Sequence, residues 1–428
     1  MGVFLTVVRH WNIVGGGDSA QGELNLPNLT GALGNSAFKG CVKLTSVASL
    51  GSITSIGDSA FENCANLSTI NFPNTLASVG TNAFKNTAWF NNQPNGVVYI
   101  NTIAYAIKGD ASSTITLDSN TTKISKSFLS GHNEVTTLVL NEGLEIIETD
   151  ALTNNHLQAF HLPSTVNSYG NNSCFQYANT VTVASGNTKY DSRDNCNAII
   201  EASTNTLLSG CPSTVIPNTV TRIGVYAFNS CGGLTSIIIP NSVTTIDANA
   251  FYGCRGLTTV TIPEGVTSIG GSAFEECANL LSLTIPNSVT SIGGLAFRHC
   301  FKLKALHFPS GATIIPYGCC SDDYELEDVV IPEGYTTIKT YAFIVCRSLQ
   351  TITLPSTVTT IETQSMSSCF SLTELTVLAI NPPTIQSKSF AEDDNLNSIY
   401  VPASSVDKYK SAPVWSTYAD IIQAIPTA

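Results

Sequence analysis

At 428 residues the chain has the length of about three ordinary domains, and its Lys plus Arg number 19 against 31 Asp plus Glu, a net charge of −12. An acidic chain without a basic run lacks the electrostatic footprint of a nucleic-acid binder and is repelled by anionic lipid, so neither is an expected partner. No stretch is long and apolar enough to span a bilayer, and "GVFLTVV" before Arg9 and His10 lacks the basic start of a signal peptide.

In chain order, residues 1–22, with "GGG" at 15 to 17, fit no pattern and read as an irregular segment. From residue 23 a period appears: Phe38, Phe61 and Phe84 lie 23 apart, with Cys41 and Cys64 three positions after the first two. It lapses between Thr87 and Ile115, where "GVVYINTIAYAIKG" reads as two β runs across Asn101 and Thr102, a hairpin inserted near 88–114. A second lapse at 186–212 contains "NAIIEASTNTLLSG", again hairpin-like. Both hairpins are expected to project from the stack.

The period is cleanest further on. Pro217, Pro240, Pro263, Pro286, Pro309, Pro332 and Pro355 are each 23 apart, and so are Cys231, Cys254, Cys277 and Cys300, then Asp323 as an exception, then Cys346 and Cys369. A fixed period of this size signals a solenoid, so one elongated domain over 23–378 replaces three compact ones. Within a unit, Leu283 and Ile285 share one face of a short strand that Pro286 ends, because proline offers no N–H to a ladder. "SVTSIG" offers a second extended piece, and "GLAFRHC" has room for one helical turn with Ala296, Phe297 and Cys300 inward. No unit buries its apolar face alone, so neighbours must stack. A column position then sits over a copy of itself, and cysteine, small and apolar in behaviour, fills a narrow corner without a strong hydrogen-bond partner.

Residues 379–428 read as a last repeat and C-terminal cap. "SSVDKYKSA" starts a short helix with Ser404 or Ser405 as N-cap, Pro413 stops it, and "ADIIQAI" offers a final β run.

The pattern "CxxLxxLxIPxxVxxIGxxAFxxC" resembles the BspA-like leucine-rich repeat family, cleanly from Cys211 to Leu378 and more loosely before. "YDSRDNCNAIIEASTNTLLSGC" and the tail "YVPASSVDKYKSAPVWSTYADIIQAI" look like pieces of bacterial members from gut Bacteroides-like organisms. The resemblance implies a leucine-rich-repeat solenoid with a parallel β-sheet on one face and short extended pieces and single helical turns on the other. It also implies a secreted or cell-surface, adhesin-like binding protein without a catalytic centre, whose partner is a protein or glycan; the chain is expected to be a monomer. Sixteen coils or so would stack over about 75 Å at the usual strand spacing. No lipobox or sorting tail is visible.

Chemistry-bearing motifs are sparse. No CxxC pair, GxSxG, HExxH or Walker motif occurs, so no cofactor or metal is expected. The six histidines are scattered and read as surface residues. Column cysteines point the same way from parallel neighbours and read as free thiols, because a bridge needs close, facing Cβ atoms. Cys196 and Cys211 flank the second hairpin and would face each other if Glu201 pairs with Thr206. They are the disulfide candidate, against the simpler reading of two packed thiols. The run Asp322, Asp323, Glu325, Glu327, Asp328 lacks the spacing of a calcium loop and reads as a solvated face.

The outward strand positions form the candidate binding surface: Ser236 and Ile238, Thr259 and Thr261, Ser282 and Thr284, His307, Asp328, Thr351 and Thr353, Glu374 and Thr376. Stacked, they make a hydroxyl-rich face with His307, Asp328 and Glu374 as its distinctive groups. One alternative is that threonine merely tolerates a pleated, wet site, the chain being a structural spacer or scaffold.

Overall fold

The computed structural model describes residues 21–153, 155–170, 173–386, 388–390 and 392–426. Most of the irregular N-terminal segment lies outside these residues; the first strand begins at Gly22. The chain divides into two compact units, one reaching residue 171 and including Ala184–Thr188, the other made of residues 172–183 and 189–428.

In the second unit the stacking appears directly as strand register. Ile237 pairs with Val260, Val260 with Leu283, Leu283 with Leu306 and Leu306 with Val329, every step being one period, in a parallel five-stranded sheet. These five point inward and are buried, while their strand neighbours face out. A second ladder of two-residue strands runs Arg222–Ile223, Thr245–Ile246, Ser268–Ile269, Ser291–Ile292. The glycine after Ile292 is required sterically: a Cβ on Gly293 would lie 2.3 Å from the Gly271 nitrogen. Between coils, the threonine column Thr244, Thr267, Thr290 passes each hydroxyl to the carbonyl one coil back, at 3.2–3.3 Å.

The third side of each coil differs from the predicted helical turn. Ala250, Tyr252 and Cys254 donate to residues three back, in 3₁₀ fashion, while Asn249, Phe251 and Gly253 donate to the next coil at Gly271, Ala273 and Glu275. Alternate N–H groups thus serve the coil and the stack. The two residues that make this alternation possible are left-handed, as at Asn249 (φ 56°) and Gly253 (φ 67°). Phe228, Phe251 and Phe274 stack inside it at 5.0 and 5.1 Å with nearly parallel rings.

The cysteines also do more than fill space. Cys254, Cys277 and Cys300 each donate Sγ–H to the carbonyl of the phenylalanine 26 residues earlier, at 3.1–3.3 Å. The column therefore selects a small donor, not simply a small apolar group.

The first unit repeats this plan: Leu44–Ser49 pairs in parallel with Gly22–Asn25 and Thr69–Ile70, and Phe38, Phe61 and Phe84 stack at 5.3 and 5.5 Å. Both lapses in the period are hairpins. Gly96–Ile100 pairs antiparallel with Ile103–Lys108, whose outer edge then pairs in parallel with Lys123–Ile124. In the second unit Ile199–Glu201 and Thr206–Ser209 do the same, the latter continuing to Arg222–Ile223. The hairpins therefore do not project. Each second strand satisfies its edge by taking a rung in the sheet, which leaves fewer unpaired backbone groups than a projecting arm would.

The C-terminal segment closes the second unit. Val406–Ser411 is helical, with Ser405 at its N-terminus giving its hydroxyl to the Ile380 carbonyl instead of capping. Trp415 is buried and donates to Pro383 O at 2.7 Å, Tyr409 donates to Ala379 O at 2.8 Å, and Ile422–Ala424 pairs with Ser398–Val401.

Candidate binding face

Strand alternation places the candidate residues. Ser236, Thr259 and Ser282 are mutual partners across three strands, as are Ile238, Thr261 and Thr284. Thr351 pairs with Glu374 and Thr353 with Thr376 in a separate four-stranded sheet. All twelve face outward; eleven are exposed and Thr376 is half-buried. Ile238 is 86% exposed, the most open of the large apolar side chains among the described residues.

His307 and Asp328 form a diagonal pair across neighbouring strands, Nε2 to Oδ2 at 2.9 Å, with about three-fifths of each side chain open to solvent. Such an exposed pair contributes little to stability, so its value is as a local polar landmark. Glu374 stands one sheet away without a cationic partner among the described residues. The face can offer hydroxyl donors and acceptors, one ion pair, one free carboxylate and the apolar Ile238.

The second hairpin settles where Cys196 and Cys211 stand. Glu201 does pair with Thr206, but a bulge between Ile199 and Ile200 shifts the register by one before the strands reach the cysteines. Cys196 Sγ takes the Ala198 carbonyl at 3.7 Å and Cys211 Sγ the Asn197 carbonyl at 3.4 Å. Both are buried free thiols, as are the other eleven cysteines.

The acidic run is not one solvated face. Asp323 occupies the cysteine column and is fully buried, accepting the Cys300 N–H at 2.8 Å, whereas Glu325, Glu327 and Asp328 are exposed. Burial holds its carboxyl well above the usual carboxylate range, and raises the thiols of Cys254, Cys277 and Cys300 and, in the first unit, that of Cys64 to about 12. These displaced groups sit in the core, so their shifts report packing and not catalysis.

One surface feature went unread in the sequence. Phe301 and Tyr324, one period apart, stack at 5.0 Å, and the Arg347 guanidinium, a further period on, lies 4.5 Å over the Tyr324 ring. The 23-residue column immediately after the cysteine carries this signal in plain view.

Identical rungs, inward leucine-type columns and an outward hydroxyl face define a leucine-rich-repeat solenoid protein. The profile of the BspA type leucine-rich repeat region, six copies long, matches residues 20–104, 90–182, 207–324 and 313–414, and the chain belongs to that family. Among curated proteins none matches. A solved leucine-rich repeat protein from Eubacterium ventriosum is similar at 22% identity and TM-score 0.52, over 85% of this chain and 88% of that one. Also similar are a leucine-rich repeat protein from Bacteroides ovatus (19%, 94% and 92% covered, TM-score 0.46) and a leucine rich cell surface protein from Faecalibacterium prausnitzii (22%, 85% and 85%, TM-score 0.41). At these identities the likeness concerns the fold.

Proposed function

We propose that this chain is a non-catalytic binding protein of the bacterial cell surface, adhesin-like, acting as a monomer on a host or microbial protein or glycan through the outward strand face. The observation that carries the reading is that face: its twelve positions in register on two parallel sheets, weakly charged, rich in exposed hydroxyls. A surface of that kind binds by area and distributed hydrogen bonds, which is how solenoids commonly engage partners. Its polar landmarks, His307, Asp328 and Glu374, fix register on a ligand. The test is retention of extracellular-matrix proteins and mucin glycans by the immobilised chain beside its His307→Ala, Asp328→Ala and Glu374→Ala variants. Weaker retention by the variants supports recognition through this face. Retention of no bait at all would leave a structural spacer.

A further inference from the structure

The clearest break in the repeat lies where the first hairpin replaces a coil. Before it, the turn segments are tied along the stack: Ser36, Phe38 and Gly40 donate to Asp58, Ala60 and Glu62, then Ser59, Phe61 and Asn63 donate to Thr81, Ala83 and Lys85, all at 2.7–3.0 Å. After it the ties resume, with Ser127 donating to Asp150 and Leu129 to Ala151. In between, the hairpin gives the sheet two strands but gives this side no turn segment. Residues 81–86 and 126–132 therefore border a gap.

Of the three N–H groups that would have reached the missing segment, only that of Phe84 is satisfied, by the Tyr105 hydroxyl at 3.2 Å. Those of Asn82 and Asn86 have no acceptor among the described residues. The gap is a cavity of about 340 Å³ with Lys85 on one side, Lys126, Ser127 and Ser130 on the other, and Phe90 and Ile107 at its floor.

Its charge runs against the chain. No Asp or Glu lines it, although acidic residues outnumber basic ones 31 to 19. Neither the Lys85 nor the Lys126 ammonium has an ion-pair or hydrogen-bond partner among the described residues. The carboxylates nearest this rim already have partners: Glu62 pairs with Lys39 at 2.8 Å, Glu134 with the slot-lining His132 at 2.9 Å, and Glu148 with Lys123 at 3.1 Å while also accepting the Lys126 backbone N–H at 3.2 Å.

Two free cations and, of the two open N–H groups, the one at the cavity wall, that of Asn82, mark a place for an anion, since charge-assisted hydrogen bonds are the strong ones. Exposed hydroxyls beside an apolar floor suit a ring with polar edges and a C–H face. The volume is at the lower end of the small-ligand range, right for one such ring and too small for a folded segment. We infer that this slot binds an acidic sugar residue, a pyranose carrying a carboxylate or a sulfate, with the anion between Lys85 and Lys126 and the ring over Phe90. This site is separate from the strand face and stands or falls independently of it.

Calorimetric titration of the whole chain tests it, with trigalacturonate and N-acetylglucosamine 6-sulfate as charged probes and N-acetylglucosamine as the neutral reference. At least one charged probe should bind saturably, and at least about fivefold more tightly than the neutral sugar, the scale of one charge-assisted contact. The charged probe that binds names the anionic group. Lys85→Gln combined with Lys126→Gln should weaken that binding by at least about fivefold, with an unchanged melting curve because both side chains are exposed. His307→Ala, on the strand face, should leave it untouched. Absence of saturable binding by either charged probe up to about 10 mM, equal binding of the neutral sugar, or a smaller effect of the double substitution would each overturn the assignment.

Discussion

In the cysteine column the side chain acts as a hydrogen-bond donor, and Asp323 and Asp393 take that position with groups that only accept once ionised. Each keeps one bond, from the Cys300 and Cys369 N–H at 2.8 and 2.7 Å, and each leaves Oδ2 buried without a partner. Burial pushes Asp393 up to about 7. Below the ordinary carboxyl value near 4, folded and unfolded chains both hold the proton and no penalty exists. As pH climbs from there towards 7, the unfolded chain releases its proton while the folded one retains it. Stability therefore falls across that window, by roughly 1.4 kcal/mol per pH unit at most, and levels off above it. Urea unfolding between pH 4 and 8 should show this slope reduced in Asp393→Asn; an identical slope in the variant would contradict it. Asp323→Cys restores the donor of the column and should raise stability at pH 8 by about 1–3 kcal/mol, the usual cost of a buried unsatisfied polar group. Its urea midpoint checks this.

At the scale of the element, strands and their proline stops were legible because a period of two and a missing N–H are local properties. The turn segments were not. "GLAFRHC" has the composition of a helical turn, yet its alternate N–H groups are claimed by the next coil and Leu295 is held left-handed at φ 61°. That competition appears only when two coils are considered together. The hairpins were read as strand pairs from alternation, but the parallel bond from Ile103–Lys108 to Lys123–Ile124 depends on which edge faces the stack. Tyr105 shows what the insertion demands: its hydroxyl accepts the Phe84 N–H that lost its own coil. Tyr105→Phe keeps the ring and strands that N–H, so it should cost about 1–3 kcal/mol. In that variant, faster amide exchange at Phe84 than at Phe61, which keeps its bond to Ala83 O at 2.8 Å, would locate the loss; equal protection would argue against this role for the Tyr105 hydroxyl.

Across the molecule, what one period determines was readable and what its interruption creates was not. The exposed positions from Ser236 to Glu374 followed from counting by 23, whereas the slot beside Lys85 and Lys126 consists of a turn segment the sequence omits, and no residue type announces an omission. The disulfide candidate is intermediate: Cys196 and Cys211 would oppose each other in an unbroken hairpin, and a one-residue bulge moves them out of line. This bears on all thirteen cysteines together, since each is buried and burial raises those whose titration is displaced, Cys196 to about 11. A thiol that is neutral and shielded does not attack a disulfide reagent, because the thiolate is the nucleophile. The native chain should therefore leave such a reagent almost unconsumed at pH 8, and guanidinium should release thirteen equivalents. A bridge between Cys196 and Cys211 would lower the denatured count by two. Rapid reaction of the native chain would mean that a coil opens far more readily than its continuous backbone ties and stacked rings allow.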